Sequence, residues 1–172
     1  MRILGIDPGT TAVGYAIIEG DRRNPRLCAA ALIPITGTVP HERLQALEKG
    51  VTALIREWKP DVLAIERLFF NKNKKTALAV AEARGVILLT ATTHGLRVYE
   101  YTPLEVKKTV TGDGKADKKQ VRKMVQLTMG AAAPARARDD VFDAIAIALT
   151  SAYCAPREEP VHPPITKGRD TR

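Results

Sequence analysis

The chain predicts a single α/β domain built on a mixed sheet, and three observations carry that prediction. Three short apolar runs open the sequence with only a tight turn among them, which reads as an antiparallel meander. Two further apolar runs each follow a long helical pattern, as parallel strands added through crossovers do. A last helical pattern closes the series, giving the order β-β-β-α-β-α-β-α. Right-handed crossovers would set the fourth strand beside the first.

Each element has its own warrant. Arg2–Asp7 is a short buried strand. Thr11–Gly20 alternates, with Val13, Tyr15 and Ile17 on one side and Ala12, Gly14, Ala16 and Ile18 on the other. Gly20-Asp21 through Asn24-Pro25 makes the turn into a third strand, Arg26–Ile35, which is alanine-rich and closed by Pro34. From His41 to Trp58, Leu44, Leu47, Val51, Leu54, Ile55 and Trp58 recur at helical spacing, and Lys59-Pro60 stops the helix. Asp61–Glu66 is a strand apolar enough to be buried on both faces. The second long helix, Thr76–Thr93, has only Glu82 and Arg84 as charges, with leucine, isoleucine and valine all round it. Such a helix is either buried within the domain or shared with a second subunit. Leu96–Tyr101 is the fifth strand. Short helices at Leu104–Val110 and Lys118–Met129 flank the turn Thr111-Gly112-Asp113-Gly114, and a final helix runs from Asp139 or Asp140 to about Tyr153. Residues 1–154 thus form one domain. Residues 155–172 carry four prolines among charges with no apolar period, and read as a disordered tail.

The bulk numbers narrow the function. With 172 residues, 45% hydrophobic and 27% charged, the chain is long enough for a proper core and ordinary for a globular protein. Its 27 basic and 19 acidic residues give +8, which favours a polyanionic partner. Cys28 and Cys154 form no metal-binding spacing and read as reduced thiols. No leader pattern opens the chain and no apolar run approaches the roughly 18 residues of a membrane span. The expected setting is cytoplasmic.

Acids stand where apolar runs begin or end. Asp7 closes Ile3-Leu4-Gly5-Ile6, Glu66 closes Val62-Leu63-Ala64-Ile65, and Asp140 and Asp143 open the stretch from Val141 to Leu149. If strand four lies beside strand one, Asp7 and Glu66 share the C-terminal edge of the sheet, where α/β folds usually host chemistry. Asp140 and Asp143, three apart, lie on nearly the same helix face. Taken alone that pair would be capping acids, with Asp139 expected at the cap itself. With the last helix packed across the sheet edge, they would face Asp7 and Glu66. Four acids without equally placed basic partners call for a divalent cation. Oxygen ligands suit Mg²⁺ or Mn²⁺, and two ions about 4 Å apart clamp an in-line phosphoryl displacement. His41, His94 and His162 are scattered and offer no base.

Asn71 to Met124 holds twelve basic residues against five acidic, nearly the whole charge excess. A solvated helix face is the ordinary use of such lysines. Beside a phosphodiester site, phosphate contact fits them better. Phe69 and Phe70 precede the basic run from Asn71 to Lys75; an exposed ring there would stack on or wedge between bases, while core packing would absorb at least one of the two.

Asp7-Pro8-Gly9-Thr10, Glu66 with Phe69, Tyr101-Thr102-Pro103 with Val106-Lys107, and Asp140-x-x-Asp143-Ala144-x-Ala146 together resemble the RuvC crossover-junction endodeoxyribonucleases, in order from Met1 to about Tyr153. The resemblance implies an RNase H-like fold, a five-stranded mixed sheet flanked by helices. It implies a homodimer, through the helix Thr76–Thr93, that cuts two opposed strands of a four-way Holliday junction and leaves 5′-phosphate and 3′-hydroxyl nicks. It carries the metal-binding and catalytic role onto Asp7, Glu66, Asp140 and Asp143. DNA contact carries over to Phe69, Lys107 and Lys118, and less directly to Lys108 and Lys119. Partnership with the branch-migration proteins RuvA and RuvB is implied too. Three other readings stay open at this point. They are a junction-binding module without chemistry, a nuclease of the same fold acting on RNA or a hybrid, and an ATPase using Asp7-Pro8-Gly9-Thr10 as a phosphate turn.

Overall fold

The computed structural model describes residues 1–9, 12–67 and 74–155, with side chains from 77 onward in the last span. At its centre lies β1 (Arg2–Asp7), whose apolar run has no polar side chain before Asp7. β1 pairs antiparallel with β2 (Val13–Glu19), which pairs antiparallel with β3 (Arg26–Ile33). On its other side β1 pairs in parallel with β4 (Val62–Glu66), and β4 with β5 (Arg97–Tyr101). The order β3-β2-β1-β4-β5 is the five-stranded mixed sheet expected, with strand four beside strand one.

β3 ends at Ile33, two residues short of the expected bound, because Pro34 offers no N–H to extend the ladder. β2 stops at Glu19; Gly20 then turns the chain at φ 116°.

α1 (Pro40–Trp58) and α2 (Lys74–Thr93) cover one face of the sheet. Leu47, Val51, Ile55 and Ile87 pack there on Leu4, Ile6, Ile17, Leu63 and Ile65. α1 begins at Pro40, one residue before the expected His41, since a first helical position has no N–H bond to lose. α2 is not wholly buried: Ala83, Ile87 and Ala91 face inward, while Leu78 and Leu89 are 67% and 69% exposed.

α5 (Asp139–Cys154) covers the other face, where Phe142, Ile145 and Leu149 join Ile3, Ala16, Ile18, Val62 and Ala64. α3 (Pro103–Thr111) and α4 (Lys118–Met129) pack against α5 in turn, so α5 is apolar nearly all round. Both outer helices begin with reciprocal capping boxes. Thr102 accepts from the Glu105 N–H at 3.1 Å and Asp117 from the Gln120 N–H at 2.8 Å. α5 lies along the sheet face over β1 and β2, not across the sheet edge as expected. Glycines make this approach possible: a Cβ on Gly5 would stand 2.6 Å from the Ala144 carbonyl oxygen, and one on Gly14 only 1.9 Å from that of Asp140.

Candidate active site

Strand alternation decides which way the acids point. Ile3 in β1 and Val62 and Ala64 in β4 face α5, so Asp7 and Glu66, in the same phase, face α5 as well. The first turns of α5 come down over Gly14, the partner of Asp7 in the antiparallel ladder. Asp143 thereby reaches the strand ends. Asp7, Glu66 and Asp143 line one cavity of about 300 Å³ with Lys107, Lys118, Pro103, Val106, Val121 and Ile147. A larger cavity of about 780 Å³ lies between β3 and α1, but it gathers none of the site residues expected from sequence.

Two of the four acids have basic partners, contrary to expectation. Lys118 Nζ stands 3.3 Å from Asp143 Oδ2, and Arg138 Nε donates to Asp140 Oδ2 at 3.2 Å. Lys118 comes from α4, a position that sequence spacing does not tie to Asp143, whereas Arg138 stands only two residues before Asp140. Asp140 lies beside the cavity without lining it, yet close enough for its charge to act on Asp7. Asp139 does not cap α5. Arg138 holds the cap position with extended backbone, and Asp139, the first helical residue, pairs with Arg122 at 3.4 Å. Arg122 in turn covers the Phe142 ring, 4.2 Å from its centre.

The cavity holds its acids at an electrostatic disadvantage. Burial pushes the Asp7 carboxyl up to about 8, with Asp143, Glu66 and Asp140 adding to the effect and Lys118 opposing it. Burial also raises Glu66, again with help from Asp143 and against Lys118 and Lys107. Asp143 is raised by burial despite Lys118. Lys118 itself is raised, chiefly by the Asp143 charge. Among the described residues, no three His, Cys, Asp or Glu side chains already stand together as a metal-ligand group. The donor chemistry nonetheless fits a hard divalent cation, because the converging groups are carboxylates whose combined charge Lys107 and Lys118 only partly offset.

Lys107 and Lys118 thus reach the cavity, whereas Lys108 and Lys119 are exposed and outside its lining. Phe69 lies outside the described residues, as do Phe70, Thr10, Thr11 and residues 156–172. Sequence reasoning missed Gly5 and Gly14 as the residues that seat α5. Glycine within a strand pattern is the signal that would have found them.

The sheet order with its crossover helices is that of the RNase H-like fold, and this basic chain of that fold is a nuclease, a hydrolase of phosphodiester bonds. Residues 3–151 match the family model described as Crossover junction endodeoxyribonuclease RuvC. The chain belongs to that family, one of divalent-metal-dependent Holliday junction resolvases. It is 48% identical to the Chloroflexus aurantiacus RuvC over 91% of this chain and 95% of that one. To the Moorella thermoacetica RuvC it is 50% identical over 91% and 93%. Among solved structures it is similar to Thermus thermophilus RuvC in complex with a Holliday junction substrate. There the TM-score is 0.82 at 31% identity, covering 89% of this chain and 93% of the other. The yeast mitochondrial Holliday junction resolvase Ydc2 shares the fold at a TM-score of 0.64 and 14% identity, over 87% and 76% of the two chains. Among the described residues no helix is long and apolar enough to cross a membrane.

Proposed function

We propose that Asp7, Glu66, Asp140 and Asp143 form the active site with which this chain cuts two opposed strands of a four-way DNA junction, leaving 5′-phosphate and 3′-hydroxyl ends. The observation that carries the reading is the single cavity lined by Asp7, Glu66 and Asp143, in which burial and the neighbouring acids push the Asp7 carboxyl up to about 8. Such a group is mostly protonated at neutral pH, and a cation beside it would favour the ionised form. Asp7, at the rigid end of the central strand, is the natural shared ligand; Glu66 and Asp143 stand to its sides and Asp140 adds charge from the helix start. Two Mg²⁺ or Mn²⁺ ions, when bound, would supply the positive charge that a phosphodiester displacement needs and acidify an attacking water. The lysines do a different job. Lys107 and Lys118 put positive charge at the cavity wall, where a backbone phosphate has to come close to the acids. Lys108 and Lys119, exposed on the same two helices, extend that surface. Phe69 is assigned the wedge between bases near the junction centre.

A four-way junction has near two-fold symmetry, which a two-fold dimer matches with one site for each strand to be cut. The exposed Leu78 and Leu89 make α2, within the span Thr76–Thr93, the contact surface. RuvA and RuvB are its partners in the cell and the cytoplasm its setting. Residues 1–154 carry the nuclease; the segment 155–172 has no part in this reading.

The test is a synthetic immobile junction with each strand labelled in turn, incubated with Mg²⁺ or Mn²⁺ beside a matched duplex and an RNA–DNA hybrid. Paired cuts in opposed junction strands are expected, with Asp7→Asn binding the junction but not cutting it. Cleavage by Asp7→Asn at the parent rate would remove the assignment.

A further inference from the structure

Arg84, on α2, reaches the end of β4 from the opposite face of the sheet to the carboxylate cavity. Its side chain is only 16% exposed. Nε donates to the backbone carbonyl of Glu66 at 3.2 Å, and a terminal guanidinium nitrogen donates to Oε2 of Glu100. Glu100 stands on β5 opposite Ile65, the residue before Glu66. It lies in the phase of Val98, which faces the α1 and α2 side. Arg67, next after Glu66, has Nε 4.0 Å from the same Glu100 oxygen, and its N–H donates to the Tyr101 carbonyl at 2.8 Å.

The ladder explains why an arginine is needed here. β1 and β4 pair only as far as Ile6 with Ile65, so the Glu66 carbonyl lies beyond the β1 partner residues. A partly buried carbonyl at a strand end must find a donor. An ionised donor makes the stronger bond, and a guanidinium serves two acceptors at once in a fixed plane. A largely buried arginine in a helix with one other charged residue between Thr76 and Thr93 is costly unless both bonds are made.

We propose that Arg84, anchored by Glu100, is a positioning residue for Glu66. It fixes the peptide at the end of β4 from below and so sets the direction in which the Glu66 carboxylate enters the cavity. This rests on the reading of Glu66 as an active-site acid. Ligand oxygens have to be held within about half an ångström to be useful, and a strand end left to fray does not hold them.

The test uses the full chain with Arg84→Met, Arg84→Lys, Glu100→Gln and Glu66→Gln. Three quantities are read: Mn²⁺ binding by the spectroscopic signal of the free ion, junction binding without metal, and single-turnover cleavage at saturating junction. Arg84→Met should weaken Mn²⁺ binding and slow cleavage by about 10- to 100-fold each, with junction affinity unchanged. Arg84→Lys, able to keep one of the two bonds, should fall between it and the parent. Parent-like Mn²⁺ affinity and cleavage per folded molecule in Arg84→Met, even at a lowered melting temperature, would make the pair purely structural and overturn the proposal. If Arg84→Met does not fold, Glu100→Gln decides by the same readouts, since it keeps the side-chain shape and loses only the charge. Glu66→Gln separates the two readings. An inactive Glu66→Gln beside parent-like Arg84 variants defeats this proposal alone, whereas an active Glu66→Gln defeats the site assignment with it.

Discussion

Replacing Asp7 with asparagine in metal-free protein makes stability itself report on the charge of the cavity. The carboxyl is lifted from 3.8 to about 8 by burial, then by Asp143, Glu66 and Asp140. Folding therefore takes up a proton between those two values, because the unfolded chain is ionised there and the folded one is not. The sign follows directly: this group costs stability increasingly as pH rises from about 4, and the cost levels off near 8. Each pKa unit is worth about 1.4 kcal/mol, so the range from about pH 5.5 to about pH 8 gives a gross loss of about 3 kcal/mol. Asp7 keeps some contact with solvent, which screens its neighbours, and about half of the gross figure is the reasonable expectation. Asparagine keeps the shape and cannot ionise. For a domain of this size each kcal/mol shifts the melting temperature by about 2–4 °C, so Asp7→Asn should gain about 3–6 °C on the parent across that pH range. Melting curves in the presence of a chelator measure this. Saturating Mg²⁺ should close the gap, because binding to the folded parent alone stabilises it. A gap that does not change with pH would mean a well-hydrated carboxylate, and the case for a cation would lose its physical basis.

Gly14→Ala should force α5 off the sheet, because the new Cβ would meet the Asp140 carbonyl oxygen at 1.9 Å. Denaturant unfolding should register a loss of about 1–3 kcal/mol, with junction cleavage reduced as Asp140 and Asp143 retreat from Asp7. A parent-like midpoint and rate would show that the helix seats without that contact. Lys118→Ala should weaken junction binding and lower the slope of log affinity against log salt by about one unit. An unchanged slope would confine Lys118 to its ion pair with Asp143. Leu89→Asp, on the exposed face of α2, should give a monomer in sedimentation that no longer makes paired cuts; a dimer that survives it places the subunit contact elsewhere.

The architecture was legible because strand phase and helix period are local properties. Val13, Tyr15 and Ile17 face the α1 side and Ala16 and Ile18 the α5 side, as alternation in the sequence predicts. The crossovers fixed β4 beside β1, and with it the common edge of Asp7 and Glu66. Contacts made between distant segments were not legible. Lys118 meets Asp143 across 25 positions, and Arg84 meets the Glu66 carbonyl across 18, with no spacing rule to announce either. Asp139 shows a subtler failure: a run of acids at a helix start looks like a cap, but backbone conformation chooses the cap residue, and Arg138 holds the extended one. The open face of α2 is ambiguous in the sequence for a different reason. An apolar helix reads the same whether its second face is covered by its own chain or by another; in the fold, Leu78 and Leu89 stand exposed.

The two signs of charge in this molecule answer each other at the cavity. A cup of carboxylates alone would repel the DNA backbone as strongly as it attracts cations, and a basic surface alone would bind DNA without holding a metal. The fold resolves this by layering. The central strands deliver Asp7 and Glu66, α5 delivers Asp143, and α3 and α4, packed outside α5, bring Lys107 and Lys118 to the same opening. Much of the positive excess from Asn71 to Met124 lies on or between those two outer helices, so the approach path is basic while the floor is acidic. The Lys118–Asp143 pair is the point at which the two layers touch at the cavity itself. A cation bound among the acids would weaken the hold of Asp143 on Lys118 and leave that lysine available to a phosphate. Metal loading and DNA engagement would then favour each other, since both would relieve a cavity whose burial and crowded acids raise Asp7.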